Sequence, residues 1–201
     1  MKRVLIITIV LFFSAQVFTA SAQTVTLLIG NLDFLKDQTS IHTIYDYDGM
    51  RVRSMMEDAY IKKQLAAYST TPALGEEWLK EWNTNRVQLF EPAFEKSLNK
   101  ETSPTSFNHA DSNTAYTLII RTTFIEPGYS VLGSIRQKAQ INVTYTFINT
   151  KTHRIAAQLF CDRILAPFDF HTKTRRLTIV YEKAGRLLGE FLQAKGGKHK
   201  A

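Results

Sequence analysis

The clearest pattern in the chain runs over residues 139–148. Ala139, Ile141, Val143, Tyr145 and Phe147 alternate with Gln140, Asn142, Thr144 and Thr146. A period of two with one apolar side predicts a strand that turns one face to a core and the other to water. Residues 149–153 supply a turn. Residues 155–165 then return as the hairpin partner, with Ile155, Ala157, Leu159 and Cys161 facing inward. A further strand is predicted over 115–125. It carries Tyr116, Leu118, Ile120 and Phe124 on one side, and Ile119 and Ile125 beside Arg121 and Thr123 on the other. Near the start, 25–29 is wholly apolar or β-branched, and 40–47 is rich in β-formers before Asp48-Gly49. These two segments predict either a β-hairpin or two strands with an irregular link.

Elsewhere the period lengthens. Met56, Tyr60, Ile61, Leu65 and Tyr68 predict a helix over 55–68. Trp78, Leu79, Trp82, Leu89, Phe90, Ala93 and Phe94 mark the buried side of a helical stretch over 76–99. Pro92 interrupts it. Proline removes a backbone donor inside a helix but is welcome in a first turn, so two helices meeting near Phe90, or one kinked helix, are expected. Leu177, Val180, Tyr181, Ala184, Leu187, Leu188 and Phe191 predict a last helix over 169–194, with Asp169 as a cap. Residues 101–112 are polar, contain Pro104 and read as a surface loop. Strands, then helices, then three strands and a helix predict an α+β fold: two layers, a mainly antiparallel sheet, and helices packed on one face.

The first residues have the features of an export signal. Lys2 and Arg3 precede an apolar run over 4–13, and Ala20-Ser21-Ala22 offers small residues for cleavage after Ala22. That run is about half the length a membrane span needs. The expected organisation is a signal peptide over 1–22, one α+β domain over 23–194 and a flexible basic tail over 195–201. A periplasmic or secreted location follows, without a stable membrane anchor once the signal is cut. Loss of Lys2 and Arg3 lowers the formal charge from +7 to +5, and Lys195, Lys198 and Lys200 hold three of those charges. The folded body is then nearly neutral, which argues against a nucleic-acid partner. Cys161 is the one cysteine, so no internal disulfide forms; a small core residue is the expected role.

Motifs for chemistry are incomplete. Asp46-x-Asp48-Gly49 resembles part of a calcium loop, but Ile44 and Met55 stand where ligands are needed. The five histidines show no metal-ligand spacing, and no Gly-x-Ser-x-Gly elbow or phosphate loop appears. No metal or cofactor is expected. Glu91 and Glu95, at helical spacing, read as a solvated face. Trp78 and Trp82 lie four apart on one helix face and read either as core or as an exposed aromatic patch for a sugar or a protein. Residues 126–133 mix glycine with apolar side chains, and read as a plain strand connection or as a loop that carries function. The candidate partner-binding residues are therefore Trp78, Trp82, Glu126, Gly128, Tyr129 and Gly133.

Several segments carry a resemblance: Gly30-Asn31-Leu32-Asp33-Phe34-Leu35-Lys36, Tyr45-Asp46-Tyr47-Asp48, Tyr60-Ile61-Lys62-Lys63, Phe90-Glu91-Pro92-Ala93-Phe94-Glu95 and Phe124-Ile125-Glu126-Pro127-Gly128. Together they resemble a family of exported bacterial proteins without an assigned activity, over most of the mature chain, so no functional residues carry over. The order of elements is also similar, more distantly, to the periplasmic domains of the curli secretion lipoprotein and of the penicillin-binding-protein activator lipoproteins. That likeness implies a partner-binding module, although this chain has no cysteine near the cleavage point for a lipid. The expected function is a non-catalytic binding or scaffolding domain for a protein or cell-envelope partner. The alternatives are a cell-envelope hydrolase with distant carboxylates such as Glu126 and Asp162, or a small-ligand carrier with an apolar pocket.

Overall fold

Alternation over residues 139–148 translates directly into burial. In the computed structural model Ala139, Ile141, Val143, Tyr145 and Phe147 are buried, while the residues between them stay half-exposed. The structure describes residues 24–131, 134–167 and 172–196, with side chains described outside 130–136. The expected signal segment and residues 197–201 of the expected tail lie outside that range.

The strands in chain order are β1 (Thr26–Gly30), β2 (Ser40–Asp46), β3 (Arg51–Val52), β4 (Met55–Met56), β5 (Ser106–Asn108), β6 (Tyr116–Glu126), β7 (Tyr129–Val131), β8 (Ser134–Gln137), β9 (Gln140–Asn149) and β10 (Ile155–Leu165). The helices are α1 (Glu57–Ala67), α2 (Pro72–Asn85), α3 (Glu91–Thr102) and α4 (Lys173–Gly196). The main sheet has the order β1-β10-β9-β6-β2-β5. It is antiparallel from β1 to β6, whereas β2 runs parallel to both β6 and β5. Helices pack on the face lined by Tyr145 and Phe147: the Tyr145 hydroxyl donates to Ala184 O at 3.4 Å, and Phe94 lies 6.0 Å from the Tyr145 ring. The expected α+β two-layer arrangement is present, with a parallel flank.

β1 and β2 do not form a hairpin. The 3-10 turn Asp33–Asp37 carries the chain from one edge of the sheet to the far side of β6. The other expected arrangement, two strands with an irregular link, is the one present, and β1 is left as an edge whose five residues are all exposed.

Pro92 acts as anticipated. α2 and α3 meet through a π-helical turn, Arg86–Phe90, and Pro92 falls in the first turn of α3, where its missing N–H costs nothing. α2 starts at Pro72, earlier than periodicity indicates. The stretch read as a loop over 101–112 contains β5. Three residues give no periodic signal, yet Phe107 is buried and Asn99 brackets it, accepting from Phe107 N at 2.7 Å and donating to Phe107 O at 2.8 Å. Likewise β7 and β8 form a ribbon within the connection that begins at Pro127. At the start of α4 the side chain of Thr172 accepts from Arg175 N at 3.2 Å, so Thr172 caps the helix; Asp169 lies outside the described residues.

α3 and α4 cross closely. A Cβ added at Gly185 would sit 2.2 Å from Phe94 O, and one at Gly189 would sit 2.5 Å from Glu101 Cβ. Glycine at these positions lets the backbones approach. Below the crossing, Phe90 stacks on Tyr181 at 5.1 Å, and the Tyr181 hydroxyl and Thr122 share a hydrogen bond of 2.9 Å.

Candidate functional site

Side chains from different parts of the chain meet at one place. α1 contributes Tyr60, the single buried residue of that helix. Trp78 and Trp82 come from α2, both half-buried. Their rings stack on each other at 5.8 Å with an interplanar angle of 20°, and Tyr60 lies 6.2 Å from Trp78 and 5.5 Å from Trp82. The Trp82 Nε1–H donates to Glu57 Oε1 at 2.6 Å, and Arg86 donates to the same oxygen. Arg86 also lies over the Tyr47 ring, 4.5 Å from its centroid. The tryptophans are thus neither sealed in the core nor loose on the surface. They form a held platform.

A shallow cleft of about 120 Å³ opens on this platform, and Pro127 forms part of its wall with Tyr60, Trp78, Trp82 and Leu177. Pro127 brings the rest of its segment with it. Gly128 adopts φ +71°, and its N–H donates to Glu126 Oε1 at 2.9 Å. A Cβ there would meet Ala139 N at 2.7 Å, so this turn needs glycine on two grounds. Arg53 Nε donates to the same Glu126 oxygen at 3.2 Å, and the Arg53 guanidinium lies 5.7 Å from the Tyr129 ring. The buried Arg176 donates to Gly128 O at 3.2 Å. Tyr129 remains 44% exposed. The structure therefore gathers Trp78, Trp82, Glu126, Gly128 and Tyr129 around Pro127, while Gly133 lies outside the described residues.

Glu126 and Asp162 are not brought together. They stand on β6 and β10 with β9 between them, and Glu126 is committed to Arg53 and the Gly128 amide. Asp46 accepts from Asp48 N at 2.8 Å and from Arg121 Nε at 2.6 Å, the pattern of an Asx turn anchored by an ion pair. Cys161 is fully buried, and burial pushes its thiol up to about 11, so it packs as a small apolar residue. Among the described residues no group of three His, Cys, Asp or Glu side chains converges as a metal site would require.

One polar cluster went unrecognised in the sequence. Glu91 and Glu95 do not form a solvated face. Tyr47 donates to Glu91 Oε1 at 3.2 Å, Tyr45 donates to Glu91 O at 3.0 Å, Thr43 donates to Glu95, and His109 Nδ1 lies 3.1 Å from Glu95 Oε2. Burial raises the Tyr45 and Tyr47 hydroxyls well above the ordinary phenol, and burial also raises the Glu91 carboxyl. The available signal is the alternation of Thr43 and Tyr45 on one face of β2, continued by Tyr47 just past its end. These three polar tips need acceptors when a helix covers them. The cluster ties α3 to β2 and offers no nucleophile poised beside a free base.

No family model matches the chain, and no curated protein matches it. The resemblances noted above gain no support there. Among solved structures, the PelC dodecamer from Paraburkholderia phytofirmans is similar at 11% identity and a TM-score of 0.41, covering 88% of this chain and 99% of that one. A DUF330 protein from Xanthomonas campestris is similar at 9% identity and a TM-score of 0.37, covering 79% and 86%. Likeness at this level says nothing about what this chain does.

Proposed function

We propose that the protein is a non-catalytic binding or scaffolding domain of the cell envelope, and that it engages a protein partner through the Trp78–Trp82 platform and the Pro127–Gly128–Tyr129 rim. The observation that carries this reading is the shared cleft, walled by the stacked, half-exposed indoles of α2 and by Pro127 of the glycine-pinned turn after β6. Aromatic rings held in place by hydrogen bonds lose little freedom on binding, and they are enriched at the centres of protein interfaces. Leu74 of α2, and Val87 and Leu89 of the π-helical turn that follows, are also exposed. A cleft of about 120 Å³ lies below the range of ordinary small-molecule sites, which favours a flat contact with a macromolecule.

The export pattern at the chain start supports an envelope location. The reading is tested by co-purification from envelope extract with the parent chain and with Trp78→Ala and Tyr129→Ala variants. One partner retained by the parent and depleted about tenfold or more by each variant is expected. Equal recovery with all three chains, or turnover of an envelope substrate by the parent, contradicts it.

A further inference from the structure

The main sheet ends differently on its two sides. On one side the last strand is β5, three residues long, and the β3–β4 ribbon beside β6 ends in a strand of two residues. Edges this short offer a further strand little to pair with. On the other side the last strand is β1, five residues long and joined to β10 along one side only. Its free side presents a row of backbone N–H and C=O groups, which another strand can complete. Charged side chains or proline commonly guard such an edge. Residues 23–32 contain neither. The register with β10 slips between Leu27 and Ile29, so Leu28 has no partner on β10. That bulge bends the strand but puts no charge on it. Leu28 and Ile29 are 55% and 52% exposed, and Leu27 and Ile155, at the start of the neighbouring β10, are exposed as well. Four of the ten large apolar side chains exposed among the described residues therefore lie on or beside this one edge.

We infer that β1 is a dimer interface, pairing antiparallel with β1 of a second copy of this chain about a two-fold axis at Leu28. Three observations select a second copy. The strip is uncharged, so its own image brings no like charge across the axis. Antiparallel pairing about Leu28 sets Leu28 against its own copy, Leu27 against Ile29 and Thr26 against Gly30, so aliphatic side chains meet aliphatic ones. And β1 is the one long open edge of the main sheet among the described residues, so self-pairing closes at two molecules and does not extend into a fibre. None of these residues belongs to the Trp78 surface, and the inference stands or falls separately from it.

Analytical ultracentrifugation of the exported protein across the micromolar range tests this. A reversible dimer is expected from the parent chain. Leu28→Lys and Leu28→Glu, both at an exposed position, each set like charges against one another at the axis and are expected to weaken the dimer about tenfold or more. An equimolar mixture of the two variants is expected to dimerise more tightly than either alone, because opposite charges then meet. Mixing does not mend a folding defect, so this recovery separates a lost interface from a damaged fold. Trp78→Ala is expected to leave the dimer unchanged. A parent chain that stays monomeric, an assembly larger than a dimer, or parent-like dimers from either charged variant overturns the assignment. So does a mixture no tighter than its components, or loss of the dimer in Trp78→Ala.

Discussion

Glu91 shows how a single side chain changes meaning when its surroundings are known. On a helix it reads as one of many surface acids. In the fold it is half-buried beneath β2, with the Tyr47 hydroxyl on its carboxylate and Arg86, Glu95 and His109 nearby. Burial outweighs the favourable hydrogen bond from Tyr47 and the nearby Arg86 and His109 side chains, so its folded-state pKa stands above the unfolded one. A group shifted in this sense favours folding below the ordinary carboxylate range, and that contribution is lost as pH rises through the raised folded value. Glu91→Gln keeps an oxygen for Tyr47 and removes the charge. It is expected to be more stable than the parent near pH 7 and to lose that advantage near pH 4, by urea denaturation at both values. A variant less stable than the parent near pH 7 contradicts this account of the cluster.

Among the helices, α1 and α2 bury the least. α1 buries only Tyr60 and α2 only Gly75, whereas α4 buries ten residues between Arg176 and Gly196. Helices of this length gain most of their stability from packing, so the α1–α2 pair depends on the Tyr60–Trp78–Trp82 cluster and on Glu57. Backbone amides of α1 and α2 are expected to exchange with deuterium through a local opening, well before those of β9 and α4. Glu57→Ala leaves the Trp82 N–H and the Arg86 guanidinium without their shared acceptor. It is expected to destabilise that pair by about 1–3 kcal/mol in the same exchange measurement, with β9 unchanged. The α3–α4 crossing is the opposite case. Gly185→Ala forces a Cβ against Phe94 O and is expected to lower global stability by about 2 kcal/mol or more in denaturant.

These contrasts explain which elements could be read from the chain. β9, β10 and α4 carry long, regular patterns because one face of each meets the core over most of its length, although Ile155, expected to face inward, is exposed at the start of β10. β5, β7 and the β3–β4 ribbon are two or three residues long, too short for any period, and exist through their partners. The place of β1 was also hidden. Local patterning marks a strand but not its neighbour, and here the neighbour is β10, far along the chain. Trp78 and Trp82 were visible as a pair from their spacing. Their meeting with Pro127 was not, because it depends on the path of β6 past α2 and the start of α4.

At the scale of the whole molecule, the sheet and α4 hold most of the buried core, and the α1–α2 pair and the Pro127 turn meet at the N-terminal end of α4. A second, separate cleft lies at the other end of α4. No helix among the described residues is long and apolar enough to cross a membrane. The central claim is that the Trp78–Trp82–Pro127 face is where a partner sits. It is tested most directly by placing a photo-crosslinking side chain at Tyr129, and separately at exposed Leu28 on the β1 edge, and irradiating intact cells. The account predicts a discrete crosslinked species from position 129 that disappears when Trp78→Ala is added, and none of that size from position 28. The same species from both positions, or one that persists at 129 without Trp78, contradicts it.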